Sequence, residues 1–350
     1  MLEFLFEYGL FLAKSVTVLV SVIIVIVIVV GLGHKNKPAD KGHIEVKSIN
    51  DAVTNITHNL KQIVMDTEAV KIENKSEKKK AKQELKDRKK EAKEGNHSRN
   101  RVYVIDFDGD VQASAVEGLR EEVTAILSVA TSEDEVVIRL ESPGGMVHSY
   151  GLAASQLLRV VSKDIPLTVT VDKVAASGGY MMACIGDKIL AAPFALLGSI
   201  GVVAQIPNFH RLLKSKDIDV EVLTAGEYKR TLTMFGENTE KGREKFIAEL
   251  EDVHTLFKEF VSEHRPIVDT EKVATGEAWY GKRALEKKLV DELTTSDEYI
   301  IDKCTDYDVF HVKYTEHVNR VDKLLERLIY AWGQVSGADF IQKSQGPFRF

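Results

Sequence analysis

The chain has 350 residues, of which 44% are hydrophobic, so it can hold one large domain or two ordinary ones. Its net charge of −6 argues against general nucleic-acid binding. The two cysteines, Cys184 and Cys304, exclude a disulfide framework and a four-cysteine zinc site, and allow at most one bridge. Because Cys184 lies in an apolar helical stretch, we expect it to be a small buried residue.

A long apolar run opens the chain. Residues 15–32 carry no charge, and the apolar stretch begins at residue 8 with only Lys14 inside it. As a helix, the uncharged part would span roughly 27 Å, close to the hydrocarbon core of a bilayer. The alternatives are a buried core helix, which would need polar punctuation, and a cleaved signal peptide, which would start basic and not with Glu3 and Glu7. Residues 1–33 are therefore predicted to be an uncleaved, single-pass anchor.

The charges that flank this run predict its orientation. Lys35, Lys37 and Lys41 follow the run, whereas the residues before it include Glu3 and Glu7. Basic residues concentrate on the cytoplasmic side of membrane helices. The large C-terminal part of the chain is therefore expected in the cytoplasm.

Residues 34–100 are predicted to be a charged, helical connector. Residues 44–72 show a loose helical pattern, and residues 71–100 hold twelve Lys and Arg against six Asp and Glu. Glu and Lys recur three and four positions apart within residues 75–94, a pattern typical of a solvated helix. We interpret this region as a spacer between membrane and domain; contact with anionic lipid head groups is the alternative.

Residues 101–298 alternate between strand and helix patterns, as expected for a parallel sheet covered by helices. In such sheets, sites form beyond the carboxyl ends of the strands. Strands are predicted at 102–107, 136–141, 167–172, 189–192, 200–204 and 220–223, and helices at 113–130, 146–161, 180–186, 208–215 and 238–263.

Residues 299–350 are predicted to be a C-terminal extension. Residues 309–314 fit an edge strand, and residues 318–335 form an amphipathic helix pattern. This helix is expected to dock on the domain or on a neighbouring subunit; the alternative is contact with a membrane surface.

Ser177 is the candidate nucleophile. It lies where a β-branched strand pattern turns through Ala-Ser-Gly-Gly into a helix. Gly178 and Gly179 allow a tight turn and leave the serine oxygen uncrowded, and the helix start offers unpaired amides that suit an oxyanion. The alternative is that Ser177 is only a helix N-cap.

A serine nucleophile needs a base, and the sequence offers two candidates. His148 follows Ser-Pro-Gly-Gly on a predicted helix, but no patterned Asp accompanies it. The other candidate is Lys229, behind a glycine turn and expected to be buried among apolar neighbours, since a lysine must be neutral to act as a base. Ser199 supplies a second hydroxyl that could hold the lysine amine. The alternatives without a catalytic role are that Lys229 is a surface lysine and that Ser199 is a serine of a turn.

Five motifs in this order resemble the signal peptide peptidase A family of serine proteases. The resemblance covers residues 100–300, and the anchor and single catalytic unit resemble the family's shorter, membrane-anchored branch. The motifs are Glu-Ser-Pro-Gly-Gly at 141–145, Ala-Ala-Ser-Gly-Gly-Tyr-Met-Met-Ala at 175–183, Gly-Ser-Ile-Gly-Val at 198–202, Gly-x-Tyr-Lys-Arg at 226–230 and Thr-Gly-Glu-x-Trp-Tyr-Gly at 275–281.

The resemblance implies an α/β fold of the ClpP/crotonase type with repeated β-β-α units. It implies a Ser–Lys dyad of Ser177 and Lys229, with Ser199 hydrogen-bonded to the lysine and an oxyanion hole formed by the Gly144 and Gly178 amides. It further implies a homo-oligomer whose sites can be built across subunit interfaces, with no metal or cofactor.

The resemblance also implies a function and a location. We expect an endopeptidase of the bacterial inner membrane that acts on signal-peptide remnants or other short or unfolded hydrophobic polypeptides. Duplicated family members are placed on the periplasmic side, which is the alternative to the cytoplasmic side that the charges favour. The competing functions are a crotonase-like acyl-CoA enzyme, which shares the fold, and a non-catalytic oligomeric membrane scaffold.

Overall fold

The computed structural model describes residues 2–33, 42–66 and 99–316, together with the single positions 79, 83 and 86. The chain divides into two compact units, one formed by residues 1–43 and 315–350 and the other by residues 44–314. The predicted helix at 318–335 lies outside the described residues, as does the one at 75–94 apart from positions 79, 83 and 86.

The apolar N-terminal run is helical, as its pattern predicts. Helix α1 covers Leu2–Gly33. Within it, the hydroxyls of Thr17 and Ser21 donate to the carbonyls of Ala13 and Thr17, at 2.8 and 2.9 Å, so neither is left without a partner. Among the described residues, no helix combines the length and apolar character needed to cross a membrane. The membrane anchor therefore stays a prediction.

A seven-stranded sheet forms the centre of the larger unit, in the strand order β1-β10-β2-β3-β4-β6-β9. The pairs from β10 to β9 are all parallel. Its central strands are almost continuously buried, as expected when helices cover both faces of a parallel sheet. The strands are β1 (His43–Ser48), β2 (Arg101–Asp108), β3 (Glu135–Glu141), β4 (Leu167–Val171), β6 (Lys188–Ala191), β9 (Glu292–Leu293) and β10 (Asp308–Thr315).

Helices connect these strands, and the predicted α/β class is confirmed; the large sheet is consistent with a ClpP-like fold. Most of their apolar stripes pack into one large core against the sheet, and Ile300 of the last helix packs into a second, smaller cluster. The helices of this unit are α2 (Ile49–Val64), α3 (Val116–Leu127), α4 (Val147–Val161), α5 (Gly178–Ala183), α6 (His210–Lys214), α7 (Glu240–His264), α8 (Thr270–Val273), α9 (Gly281–Glu286) and α10 (Ser296–Asp306). Cys184 is fully buried, as predicted, and burial raises its pKa to about 12, so the thiol is inert.

A second, three-stranded sheet carries the candidate nucleophile. It has the order β5-β7-β8, with β5 at Val174–Ala176, β7 at Leu196–Gly198 and β8 at Ala278–Tyr280. The predicted strand at 167–172 corresponds to β4, and the short strand β5 that follows it was not predicted. The chain changes sheet after Asp172, whose carboxylate accepts hydrogen bonds from the backbone and hydroxyl of Ser296 at the start of α10.

The ends of the folded domain differ from the predicted boundaries. Strand β10 lies between β1 and β2, so the prediction of an edge strand at 309–314 is wrong. Its outer neighbour, β1, comes from the region predicted as a helical connector, and no local pattern announces that distant pairing. Asn50 fastens the two regions: its side chain donates to the carbonyls of Cys304 and Tyr307 and accepts from the Val309 N–H.

The predicted strands at 200–204 and 220–223 are absent, since residues 201–209 and 218–239 form no regular strand or helix. Both runs are apolar, yet Val203 and Leu223 are each 89% exposed. Helix α7 begins after this segment with an N-cap at Thr239, whose side chain accepts from the Gly242 N–H. Residues 201–239 thus form a largely exposed segment between β7 and α7, with α6 as its one described helix.

Candidate active site

Three strand ends meet at the candidate nucleophile. Strands β5 and β7 pair in parallel with Ala176 opposite Gly198, so the next residues, Ser177 and Ser199, leave the sheet side by side. The residue after β3, Ser142, bridges to Ala175 of β5. The Ser-Pro-Gly-Gly loop therefore runs along the same edge, and the structure brings together the first three sequence motifs.

Ser177 sits on a strained turn. Its φ of +53° and ψ of −120° are unusual for a residue with a side chain, and such strain is common at functional sites. The Ser177 N–H donates to the Gly198 carbonyl at 2.8 Å, which holds the turn in place. Although Ser177 occupies the N-cap position of α5, its side chain makes no capping hydrogen bond. The interpretation of Ser177 as only an N-cap is therefore wrong, and within the described ranges no hydrogen bond occupies its hydroxyl.

Gly144 presses against this turn. Its φ is +88°, and a Cβ placed on it would lie 2.7 Å from Ser177 Cβ and 2.8 Å from Gly178 N. Only glycine fits there. The Gly144 N–H, predicted to serve the oxyanion hole, donates to Ser142 Oγ at 3.1 Å. Its predicted role stays untested, but in this structure that amide is already engaged.

Two other amides beside Ser177 are free. Among the described residues, neither the Gly145 N–H nor the Gly178 N–H has a hydrogen-bond partner. Gly145, Ser177 and Gly178 line one small cavity. Sequence reasoning passed over Gly145, although the doubled glycine of the loop was a signal that either amide could serve.

The cavity beside Ser177 is apolar apart from the serine and the backbone. Its walls come from α4, α5, the segment after Ser199, and α7. The lining residues are Gly145, Val147, Ser177, Gly178, Met181, Gly201, Val202, Val253 and Phe257. This lining offers no charged group to a ligand, and at about 20 Å³ the cavity is too small to enclose a whole side chain.

Ser199 lies next to the nucleophile, as the sequence predicts for a residue in the same site. It also has a positive φ of +51°, and its N–H donates to the Glu277 carbonyl at 2.7 Å. Its side chain is partly exposed, and its hydroxyl has no hydrogen-bond partner within the described ranges. The hydroxyl is thus available to hold a second group.

Lys229 does not lie in the buried setting predicted for it. It is exposed in a turn of the 201–239 segment, where its N–H donates to the Gly226 carbonyl at 3.2 Å. Of the apolar residues near it in the sequence, Tyr228 and Phe235 are 47% and 50% exposed and Leu232 is half-buried. Within residues 99–316 the Lys229 amine forms no hydrogen bond or ion pair. The prediction of burial fails because this segment packs too loosely to bury it.

Cations surround the same turn. Lys241 pairs with Glu227 at 2.6 Å, and the Lys241 and Lys245 amines lie 5.9 and 5.4 Å from the centre of the Tyr228 ring. These contacts occupy the neighbours of Lys229 and leave its own amine uncommitted. The other candidate base, His148, is exposed on α4 and likewise has no hydrogen bond among the described residues.

The same part of the chain offers no site for a metal. Among the described residues, no three His, Cys, Asp or Glu side chains are arranged to hold an ion. What the site does offer is a hydroxyl on a strained turn, two free amides and an apolar cavity. A serine nucleophile and backbone amides that can stabilise an oxyanion are the groups that acyl transfer through a serine uses.

Comparison with known proteins defines the class first. The model of the peptidase family S49 N-terminal region matches residues 3–157, and that of peptidase family S49 matches residues 159–308. The fold and these matches together identify a peptidase.

Three similar proteins narrow the assignment within the peptidases. A probable protease SohB from Haemophilus influenzae is 52% identical over 316 residues, which cover 89% of each chain. A probable protease SohB from Buchnera aphidicola subsp. Schlechtendalia chinensis is 47% identical over 86% of this chain and 100% of its own. A third, from Buchnera aphidicola subsp. Acyrthosiphon pisum, is 57% identical over 66% of this chain and 68% of its own. The chain belongs to peptidase family S49, and its relatives named SohB span most of its length.

Proposed function

We propose that the chain is a membrane-anchored serine endopeptidase with Ser177 as nucleophile and Lys229 as general base. The observation that carries the proposal is the free Ser177 hydroxyl on a strained turn, beside the unpaired amides of Gly145 and Gly178. The S49 membership supplies the reaction class, peptide hydrolysis.

The mechanism follows from these groups. Ser177 Oγ attacks the carbonyl carbon of the scissile bond while its proton passes to the neutral amine of Lys229. The oxyanion formed on the carbonyl oxygen accepts hydrogen bonds from the Gly145 and Gly178 amides. The lysine then protonates the leaving amine, and the acyl group stays on Ser177. Water then attacks the acyl carbon while the same lysine takes its proton. The lysine returns this proton to Ser177 Oγ as the acid leaves, which restores the serine.

Ser199 orients the base in this scheme. A hydroxyl can accept a hydrogen bond from the lysine amine without adding a counter-charge, whereas a carboxylate would hold the amine protonated. Its position beside Ser177, set by the pairing of β5 with β7, supports that role.

We propose short or unfolded hydrophobic polypeptides, including signal-peptide remnants, as substrates. The apolar lining beside Ser177 supports this choice, because it favours apolar over charged groups next to the scissile bond. Such substrates also occur where a membrane anchor would hold the enzyme.

We further propose that the active enzyme is a homo-oligomer anchored in the inner membrane. The exposed Lys229 and apolar residues such as Val203 and Leu223 support an assembly in which a neighbouring copy covers residues 201–239. The flanking charges favour a cytoplasmic catalytic domain, with the periplasm as the alternative. Protease added to spheroplasts should leave a cytoplasmic domain intact, and digestion from outside would place it in the periplasm.

Covalent labelling tests the central proposal. A fluorophosphonate should label the full-length protein in detergent micelles, and Ser177→Ala should remove both the label and peptide hydrolysis. Ser199→Ala serves as the matched control, because it deletes a neighbouring hydroxyl and should keep the label. A labelled Ser177→Ala variant with wild-type turnover would exclude Ser177 as the nucleophile. A crotonase-like enzyme or a scaffold would leave the wild type unlabelled.

A further inference from the structure

A buried chain of hydrogen bonds lies directly behind the Ser-Pro-Gly-Gly loop. The Gly144 N–H donates to Ser142 Oγ at 3.1 Å, Ser142 Oγ lies 2.6 Å from Tyr150 Oη, and the Tyr150 hydroxyl donates to the Asp110 carbonyl at 2.7 Å. Ser142 and Tyr150 are both 0% exposed. The reaction proposed above uses neither side chain.

The direction of the protons along this chain is fixed. Tyr150 has a single hydroxyl proton, which it gives to the Asp110 carbonyl, so Ser142 must donate its own proton to Tyr150 Oη. Ser142 Oγ then has a lone pair for the Gly144 N–H. Because the three bonds point the same way, each polarises the next. Burial raises the pKa of Tyr150, so its proton stays in place.

The ring of Tyr150 supports the other side of the site. A Cβ placed on Gly178 would lie 2.4 Å from Tyr150 Cγ, so the ring packs directly against the Gly178 backbone. On its far side the ring meets Phe107 edge-on, with centroids 6.4 Å apart. One side chain therefore touches Gly178 with its ring and holds Gly144, through Ser142, with its hydroxyl.

We propose that Tyr150, acting through Ser142, is the positioning residue of the oxyanion hole. It fixes the backbone at Gly144, and thereby the next amide, that of Gly145, relative to Gly178. The inference rests on the proposed function, because it assigns those two amides to the oxyanion. The oxyanion forms only during the reaction. If the Gly145 amide is held less firmly relative to the Gly178 amide, turnover should therefore slow while substrate affinity stays almost unchanged.

The test compares two buried tyrosines in the full-length protein in detergent micelles. Tyr150→Phe removes the hydroxyl and keeps the ring. Tyr180→Phe is the matched control, because Tyr180 is also 0% exposed and its hydroxyl donates to a backbone carbonyl, that of Leu289, at 3.0 Å. We expect Tyr150→Phe to lower kcat about 10- to 100-fold with KM within about twofold, less than the loss of a whole oxyanion donor. Tyr180→Phe should keep kcat within about threefold. Equal losses of kcat, or a loss confined to KM, would overturn the proposal.

A double variant tests whether the two side chains act as one chain. Ser142→Ala alone should lower kcat about as much as Tyr150→Phe, and Ser142→Ala/Tyr150→Phe should lose little more than either, since groups acting in series are not additive. Losses that multiply in the double variant would contradict a common chain. If Tyr150→Phe does not fold, Ser142→Ala carries the same kcat and KM criterion.

Hydrogen exchange separates this inference from the function on which it rests. Tyr150→Phe should speed deuterium uptake in the peptide that spans residues 142–146, and Tyr180→Phe should not. If the wild type neither hydrolyses peptides nor takes the fluorophosphonate, the proposed function fails, while the exchange result still decides the positioning role. Unchanged uptake in Tyr150→Phe would sink that role even in an active enzyme.

Discussion

The two halves of the proposed dyad are built in opposite ways. Ser177 follows a paired strand, its turn is held by the Gly198 carbonyl, and glycine backbone packs against it. Lys229 lies exposed in a segment with little regular structure, and its amine has no partner among the described residues. The fold therefore positions the nucleophile and both free amides within a single chain, but it does not position the base.

This difference has a physical cause. Strand pairing and core burial hold the backbone of Ser177 and Ser199 in place. Residues 201–239 bury too little apolar surface to do the same, with Val203 and Leu223 each 89% exposed. A bound peptide or a neighbouring copy must supply the missing contacts before a lysine from this segment can act.

The largest effect on activity is expected from substitution of Lys229. Arginine keeps the charge but stays protonated, so it cannot accept the Ser177 proton. We expect Lys229→Arg and Lys229→Ala to lose about 10³-fold or more in kcat/KM alike, as when the base of a serine enzyme is removed. Peptide turnover measures the loss, and the exposed Arg230→Ala next to it is the control. Wild-type activity in Lys229→Arg would remove the dyad and return His148 to consideration.

Mixed assemblies sharpen the same point. Subunits carrying Ser177→Ala and subunits carrying Lys229→Ala should each be inactive alone. If a neighbouring copy supplies the base, co-assembly should restore up to about a quarter of the activity, on random mixing of two-subunit sites. No recovery in verified mixed oligomers would mean that bound substrate, and not a second copy, orders residues 201–239.

The sequence predicted best where burial follows a local period. Strands β2 and β3 and helices α4 and α7 lie within a few residues of their predicted bounds, because alternating or helical apolar patterns match the observed burial. The position of Ser177 after a strand was also predicted, whereas β7, whose end places Ser199 beside it, was not. What failed depends on distant partners: β1 covers β10 from more than 250 residues away.

The Lys229 segment shows the other limit. Runs such as 220–223 have strand-like composition, yet no strand in the described chain pairs with them, so composition alone misled. The proposed oxyanion donors show a second limit of prediction from sequence. Choosing between the Gly144 and Gly145 amides needed the hydrogen bond from Gly144 to Ser142, which no spacing rule reveals. Local periodicity thus predicts elements, while pairing and the commitment of individual amides are tertiary.

A smaller effect is expected from Ser199. Its hydroxyl lies beside Ser177, where strand pairing holds the backbone, but it is proposed to act on the exposed Lys229 by orienting the amine. Ser199→Ala should therefore lower kcat/KM about 10- to 100-fold, because positioning is lost and the base remains. The fluorophosphonate label on Ser177 should persist. A loss as large as that of Lys229→Ala would mean that Ser199 does more than orient the amine.

The smallest expected effect concerns the scaffold, and it separates loss of the base from loss of the fold. Asp106 on β2 accepts hydrogen bonds from Arg139 Nε at 2.6 Å and from His311 Nε2 at 3.0 Å. Burial alone would raise the pKa of Asp106, but these two partners lower it to about 2. Because the folded-state pKa is depressed, the stabilisation is fully present above about pH 4 and is lost as the pH falls toward 2.

The full linkage would be about 2 kcal/mol, and screening of this partly exposed group reduces it to about 1 kcal/mol. Asp106→Asn should therefore lower the free energy of unfolding by about 1 kcal/mol at pH 7 and by almost nothing near pH 2, measured by urea titration. Asp302→Asn, which changes an exposed carboxylate without a hydrogen bond among the described residues, is the control.

The pH dependence of peptidase activity should differ from that of folding. As the pH is lowered, activity should be lost before pH 4 is reached, because a lysine base becomes protonated while the scaffold is still intact. If activity and folding were lost together between pH 4 and 2, the base would not be a lysine, and the contrast between a nucleophile held by strand pairing and an exposed base would no longer describe the catalytic pair.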